Sequence, residues 1–265
     1  MSTPLCMLKL VPDMRRFVAW AHQHRLVERG GDLSYAIHAA LTNAFGEHAP
    51  KPFRLYEQTG GGGEFAPSSV LYGYTAAEAP ALLDHARTFA DPEVAQAFNL
   101  DRLAVKAMPD AWEPTRRLGF EVRVRPVLRR DHPGDREKAR ERDVFQVAWE
   151  DAASSGDIVD PPHRESIYRA WLDGHVTRSR GARLVSDSVR LVAFQRLRVA
   201  RRGREARDGH RRLVSCEGPD AILAGVLEVA DGPAFTSLLR RGIGRHRAFG
   251  FGMLLLRPAA SRSRC

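Results

Sequence analysis

The sequence predicts an α+β protein: two tandem βαββαβ units, a charged linker between them, a basic β-hairpin, and a glycine-rich loop near the C-terminus. Three observations carry this. Over residues 5–128 the apolar spacing reads as strand, helix, strand, strand, helix, strand, the order of a ferredoxin-like unit. Asp131–Arg140 is charged, broken by Pro133-Gly134 and nearly free of apolar residues, which marks a linker. Beyond it the same order of elements returns, less regularly. The expected division is residues 1–130, linker 131–140, and residues 141–265.

In the first unit, Pro4–Val11 reads as a strand and Asp13–Glu28 as a polar helix. His22 and His24 in that helix do not face each other at a separation of two, so they belong to a solvated face rather than a metal pair. Gly30-Gly31 breaks the chain and Asp32 is placed to cap a helix in which Leu33, Ile37, Ala40, Leu41, Ala44 and Phe45 form one apolar stripe. Tyr35 and His38, three apart, are neighbours on another strip of that helix. Lys51–Gln58 and Val70–Tyr74 read as strands separated by Gly60–Gly63, and Ala76–Phe89 as a helix. Leu118–Leu128 alternates, with Phe120, Val122 and Val124 on one side and Glu121, Arg123 and Arg125 on the other, and serves as the fourth strand. Residues 91–114 read as an insertion holding a short strand near Leu103–Ala107.

In the second unit, Glu141–Ala153 and Pro162–Arg178 read as helices, the second turning Ile167, Trp171 and Leu172 inward. Leu184–Val199 reads as a strand. Eight arginines then fall between positions 196 and 212, with turn signals at Gly203 and Asp208-Gly209, which predicts a basic β-hairpin. Ala221–Val229 is a further strand and Gly232–Arg241 the last helix.

Composition narrows the function. The formal net charge is +9 and the isoelectric point about 10.1, which points to a polyanionic partner. Lysine stands only at positions 9, 51, 106 and 138, so the positive charge is almost all arginine and its clustering is what informs. Cys6, Cys216 and Cys265 are scattered without Cys-x-x-Cys spacing, against a disulfide framework or zinc site and in keeping with a reducing cytoplasm. No apolar run approaches membrane-spanning length. The expectation is a cytoplasmic protein needing no metal or cofactor and no membrane.

The most informative stretch is Gly242-Ile-Gly-Arg-His-Arg-Ala-Phe-Gly-Phe-Gly252. Glycines allow close backbone approach and positive φ, exposed amides favour an anion, and Arg245, His246 and Arg247 add charge, so a phosphate-rich ligand is implied. Nucleotide-binding loops run strand, glycines, helix; here the order is helix, glycines, strand, which excludes them. A C-capping Gly242 followed by a tight turn is the other reading.

Taken together, the pieces resemble the CRISPR repeat-processing endoribonucleases, and most closely the CasE branch that serves type I-E Cascade complexes. The resemblance rests on the terminal loop, Tyr35-x-x-His38, Arg123-Val-Arg-Pro126, Arg142-Asp-Val-Phe145 and Arg164-Glu-x-x-Tyr-Arg-x-Trp-Leu172. It implies binding of the CRISPR repeat stem-loop and one metal-independent cut at its 3′ base by 2′-OH attack. The product crRNA then stays bound, and the partners are the backbone and crRNA-capping Cascade subunits. His38 is implied as the acid or base and Tyr35 as an orienting hydrogen-bond donor. Gly242, Gly244, Arg245, His246, Arg247, Gly250 and Gly252 would stabilise the transition state. Arg123, Arg125, Arg196, Arg198, Arg201, Arg202 and Arg204 would grip RNA, largely by phosphates and shape.

Three other readings stand beside it. A hairpin-binding subunit that does not cut is disfavoured by the presence of both Tyr35 and His38. A related processing nuclease that uses arginines would be indifferent to loss of His38. An RNA-recognition module of the RRM type has only a superficial match in Ala248-Phe-Gly-Phe-Gly-Met253, which follows a helix at the end of the chain.

Overall fold

The computed structural model describes residues 4–27, 32–56, 69–132, 135–155, 163–205 and 211–259. The first unit runs β1 (Cys6–Leu10), α1 (Met14–Gln23), α2 (Ser34–Phe45), β2 (Phe53–Tyr56), β3 (Val70–Thr75), α3 (Ala79–Phe89), α4 (Pro92–Phe98) and β4 (Ala104–Ala107). Its sheet has the order β2-β3-β1-β4 with every neighbour antiparallel, the ferredoxin-like arrangement. The period-two burial of β1 turns Cys6, Leu8 and Leu10 toward the helices, where Phe17, Ile37, Leu41, Phe45, Leu82 and Phe98 close the core.

The second unit runs β5 (Arg117–Val124), β6 (Val127–His132), β7 (Asp135–Asp143), α5 (Val144–Ser155), α6 (Arg164–Ser179), β8 (Ala182–Leu184), β9 (Arg190–Glu205), β10 (Arg211–Val229), α7 (Gly232–Arg241) and β11 (Leu254–Pro258). Its sheet order is β11-β5-β10, with β8 and β9 pairing successive parts of the far edge of β10. The topology is again ferredoxin-like. A second core forms on it from Phe120, Val122, Tyr168, Leu172, Leu223, Leu227, Phe235 and Leu239. The Tyr74 hydroxyl donates to the Leu254 carbonyl at 2.8 Å, and Leu5 and Tyr74 sit in this second core, so the units share a packed seam.

Four expectations need correction. The strand over 117–124 does not close the first sheet: β5 pairs β10 (Ala221↔Val124 through Glu228↔Arg117) and β11, whereas β4, expected in an insertion, is the fourth strand. The first sheet therefore ends with β4, and β5 already belongs to the second. Alternation identifies a half-buried strand without naming its partner, and β4 is a short, largely exposed edge strand with little pattern to read. The supposed linker is the outer part of the β6–β7 hairpin, whose strands extend through it. Its charge is that of a two-stranded ribbon outside both main sheets. Residues 141–143 end β7 rather than begin a helix. Finally, Ala221–Val229 is not separate from the basic hairpin but the inner half of one 19-residue strand, β10.

Of the α6 residues expected in the core, Leu172 is fully buried, while Ile167 and Trp171 are partly buried and pack against it; Tyr168 and Val176 complete the inward face. Gly60–Gly63 and the hairpin turn at Asp208-Gly209 lie outside the described residues.

Candidate active site and nucleic-acid face

Helix α2 presents the chemistry because its opposite face is fixed: Ile37, Ala40, Leu41, Ala44 and Phe45 are buried, leaving Tyr35 and His38 partly exposed on the other side. Asp32 does not occupy the cap position itself, which falls on Leu33; its Oδ1 accepts from the Ser34 amide at 2.7 Å instead. Burial, and then the charge of Lys51, lower the His38 pKa from the ordinary value. At neutral pH the ring is mostly neutral and able to accept a proton. Sequence reasoning misses Lys51, since nothing in its local sequence ties it to a helix residue thirteen positions earlier.

The glycine-rich loop is docked on this pair through Phe249. The ring lies edge-on to His38 at 5.4 Å between centroids and 6.2 Å from Tyr35. Its other neighbour is His246, at 6.2 Å. Phe249, in a single 3-10 turn over Arg247–Phe249, is thus the pin that brings the two motifs together. Its one sequence signal is an aromatic among glycines.

The loop's neck is closed by its own backbone. Gly242 (φ 71°) caps α7 by donating to Leu238 O, Ile243 N–H donates to Gly252 O at 2.9 Å, and Gly252 N–H to Arg123 O at 2.7 Å. A Cβ on Gly252 (φ +80°) would stand 2.2 Å from Ile243 O. One on Gly244 (φ +72°) would stand 2.8 Å from the Trp171 ring, and one on Gly250 (φ +78°) would touch the Phe53 ring and Ser34 Oγ. These glycines serve positive φ and close approach. The expectation that the loop displays its amides to an anion therefore fails at residues 242, 243 and 252, whose N–H groups are spent inside the protein.

The three basic side chains of the loop are held. Arg245 Nε donates to Glu141 Oε1 at 2.6 Å, His246 Nε2 meets Glu141 Oε2 at 2.7 Å, and Arg247 donates to Arg241 O at 2.8 Å. Burial alone would raise the Glu141 pKa, but His246 and Arg245 outweigh it and bring the carboxyl to about 2. Glu141, on β7, is also missed by sequence reasoning because it lies in a stretch that reads as a helix start.

Arg123 and Arg125, expected to grip RNA, are engaged inside the protein instead. Arg123 grips Asp220 with Nε and Nη2 (2.7 and 2.8 Å), reaches Asp32 at 3.3 Å, and lies 4.5 Å from the Phe251 ring centre. Burial would lower its pKa, but these carboxylates outweigh that and raise it. Gln195 also donates to Asp220 (2.8 Å), so one ion-pair network ties the start of α2 to β5, β9 and β10. Arg125 is 1% exposed and donates to Cys216 O at 2.7 Å, bracing the base of the hairpin; a Cβ on Gly218 would stand 2.5 Å from its guanidinium. Alternation correctly sets both apart from the apolar face, yet that side of β5 is itself covered.

Arg196 and Arg198 are exposed on β9, sharing Glu217 at 2.7 and 3.9 Å. Arg201, Arg202 and Arg204 fall in β9, but their side chains lie outside the described residues. The remaining two motifs form one structural cluster: Asp143 accepts from Arg164 and Tyr168, and the Arg164 guanidinium lies about equally close to the Phe145 and Phe194 rings, at 4.0 and 3.9 Å. Among the described residues no group of three or more His, Cys, Asp or Glu is placed to hold a metal ion, and no helix is long and apolar enough to cross a membrane.

The fold and its site can be set beside known proteins. A structure titled CRISPR endoribonuclease Cse3 bound to a 19-nucleotide RNA is 22% identical, covers 96% of this chain and 100% of its own, and gives a TM-score of 0.58. Thermus thermophilus Cse3, bound to an RNA representing a pre-cleavage complex, is 20% identical over 96% of this chain and 100% of its own, with a TM-score of 0.57. Cas6e from Escherichia coli K-12 is 17% identical over 96% and 100%, with a TM-score of 0.50. These likenesses establish the fold. No curated protein matches at the level of sequence. The sequence family described as CRISPR associated protein matches residues 7–258. That span takes in both sheets, the α2 pair and the glycine-rich loop, and the chain belongs to the CRISPR-associated protein family.

Proposed function

We propose that this protein is a metal-independent endoribonuclease that binds the stem-loop of a CRISPR repeat, cuts once at its 3′ base and remains on the crRNA as a Cascade subunit. The observation that carries the reading is the docking of Phe249 against both Tyr35 and His38, which joins a titratable pair to a cationic loop. RNA-bound Cse3 structures of the same fold lend it weight.

In this reaction the 2′-oxygen attacks the adjacent phosphorus while the bond from phosphorus to the 5′-oxygen breaks. The 2′ proton leaves to a base and the 5′-oxygen gains one, giving a 2′,3′-cyclic phosphate and a 5′-hydroxyl. His38, with its lowered pKa, suits the base. Tyr35 would orient the ribose or phosphate. The phosphorane-like transition state gains negative charge, which Lys51 and the basic side chains of the loop would offset. Arg196 and Arg198, with Arg201, Arg202 and Arg204, would track the stem through its phosphates.

The deciding test is cleavage of a labelled repeat hairpin in EDTA by wild type and His38→Ala, with a 2′-deoxy substitution at the cut site as control. Cutting by wild type alone, with binding kept in every arm, is the expected result. Binding without cutting by wild type would make this an RNA-holding subunit, and normal cutting by His38→Ala would remove His38 from the mechanism.

A further inference from the structure

Glu141 plays no part in the chemistry above, yet it occupies the cationic face of the loop. Each of its oxygens has its own donor, Arg245 Nε on one and His246 Nε2 on the other. Two donors on two oxygens of one anion is also the grip that holds two non-bridging oxygens of a phosphodiester. We propose that Glu141 is a placeholder: in the RNA-free chain its carboxylate fills a phosphate site made by Arg245 and His246, and a backbone phosphate of the RNA displaces it. This rests on the endoribonuclease reading and adds to it a site and a competitor.

Three features favour a placeholder over a plain strut. His246 holds a left-handed conformation (φ 58°), costly for a residue with a side chain, and three residues later Phe249 lies on His38, so the site borders the catalytic pair. Arg245 is about half exposed, so the cation opens to solvent on the side away from Glu141. Glu141 itself belongs to the β6–β7 ribbon, a two-stranded sheet of its own, and lines a small cavity of about 40 Å³ together with Arg196. A displaced carboxylate thus shares a cavity with the Arg196 guanidinium, which Glu217 already holds. Against the effect of its burial, the His246 and Arg245 contacts hold the carboxyl's pKa down at about 2.

The test compares wild type with Glu141→Gln, which keeps the shape and removes the charge. The probe is a fluorescent repeat hairpin carrying a 2′-deoxy at the cut nucleotide. Removing the competitor is expected to tighten binding at least about threefold and to leave the slope of log affinity against log salt nearly unchanged, since the same phosphate is bound in both proteins. In an Arg245→Gln background the same change is expected to have no effect. Glu141→Asp, which keeps the charge but shortens the reach, serves if Glu141→Gln does not fold, and is expected to tighten binding by a smaller factor. Wild type that binds the hairpin, with variants that bind equally or more weakly, would overturn the placeholder alone. Inorganic pyrophosphate is titrated in parallel and is expected to bind Glu141→Gln at least about tenfold tighter than wild type. If wild type binds no hairpin, the endoribonuclease reading fails, and the pyrophosphate arm still decides the placeholder.

Discussion

Replacing Gly252 by alanine tests whether the closed neck of the loop sets the position of Phe249. Gly252 sits at φ +80°, where a Cβ costs about 1–2 kcal/mol. The added methyl would also stand 2.2 Å from Ile243 O, which is backbone and cannot swing away. Relief requires parting the two strands of the neck, with loss of the Ile243-to-Gly252 and Gly252-to-Arg123 hydrogen bonds. At about 1 kcal/mol each these bring the total to roughly 3–4 kcal/mol. The loop carries Phe249, and a shift of about 1 Å in a positioning group costs on the order of 100-fold in rate. Urea denaturation should therefore show a loss near that total. Single-turnover cleavage should fall about 100-fold, a larger loss than that in hairpin affinity, which on the proposed reading rests mainly on β9 and β10. A loss of stability under about 1 kcal/mol with normal cleavage would refute the account of the neck.

Other consequences follow from the same geometry. Lys51→Met removes the second cause of the lowered His38 pKa, so the acid limb of the cleavage pH–rate profile should move to higher pH; superimposable profiles would separate Lys51 from His38. Asp220→Asn should cost about 3 kcal/mol, because it leaves the Arg123 guanidinium buried with Asp32 alone, among the described residues, for charge. Burial would raise the Asp220 pKa, but Arg123 and Gln195 outweigh it and lower it. Its contribution is therefore present above the unfolded value near 3.9 and lost as pH falls through the folded one, and equilibrium denaturation of Asp220→Asn should lack that acid loss. Arg196→Gln with Arg198→Gln should weaken hairpin binding and flatten its salt dependence, while cleavage at saturating protein stays near normal; an unchanged salt slope would take these arginines off the RNA.

Much of the fold is legible because its periodicities are local. The α2 stripe and the alternation of Phe120, Val122 and Val124 both announce buried faces without knowledge of what covers them. Pairing is what cannot be read. β5 carries the clearest alternation in the chain, and that clarity suggests it as the strand closing the first sheet, while β4, with almost none, holds the position. The site divides in the same way. Tyr35, His38 and the loop glycines have signals in their own neighbourhoods. Lys51, Glu141 and Phe249 acquire meaning only when segments far apart in the chain meet. Arg123 and Arg125 mislead for a related reason: an arginine opposite an apolar face looks solvent-bound until Asp220 or a carbonyl such as Cys216 O is known to wait there.

Strand β10 is both the spine of the second core and one leg of the basic hairpin, since Leu223 and Leu227 are fully buried in the same strand that pairs Val214 with Arg201. The outer ribbon can therefore lengthen or shorten by two cross-strand pairs at a time without disturbing the core or turning its faces, each such step bringing one hydrogen-bonded pair. A change of one residue in either leg would instead turn every outer arginine to the opposite face. Reach is thus adjustable in steps of two residues per leg, which on the proposed reading would let relatives of this protein fit stems of different length with the α2 pair and the loop unaltered.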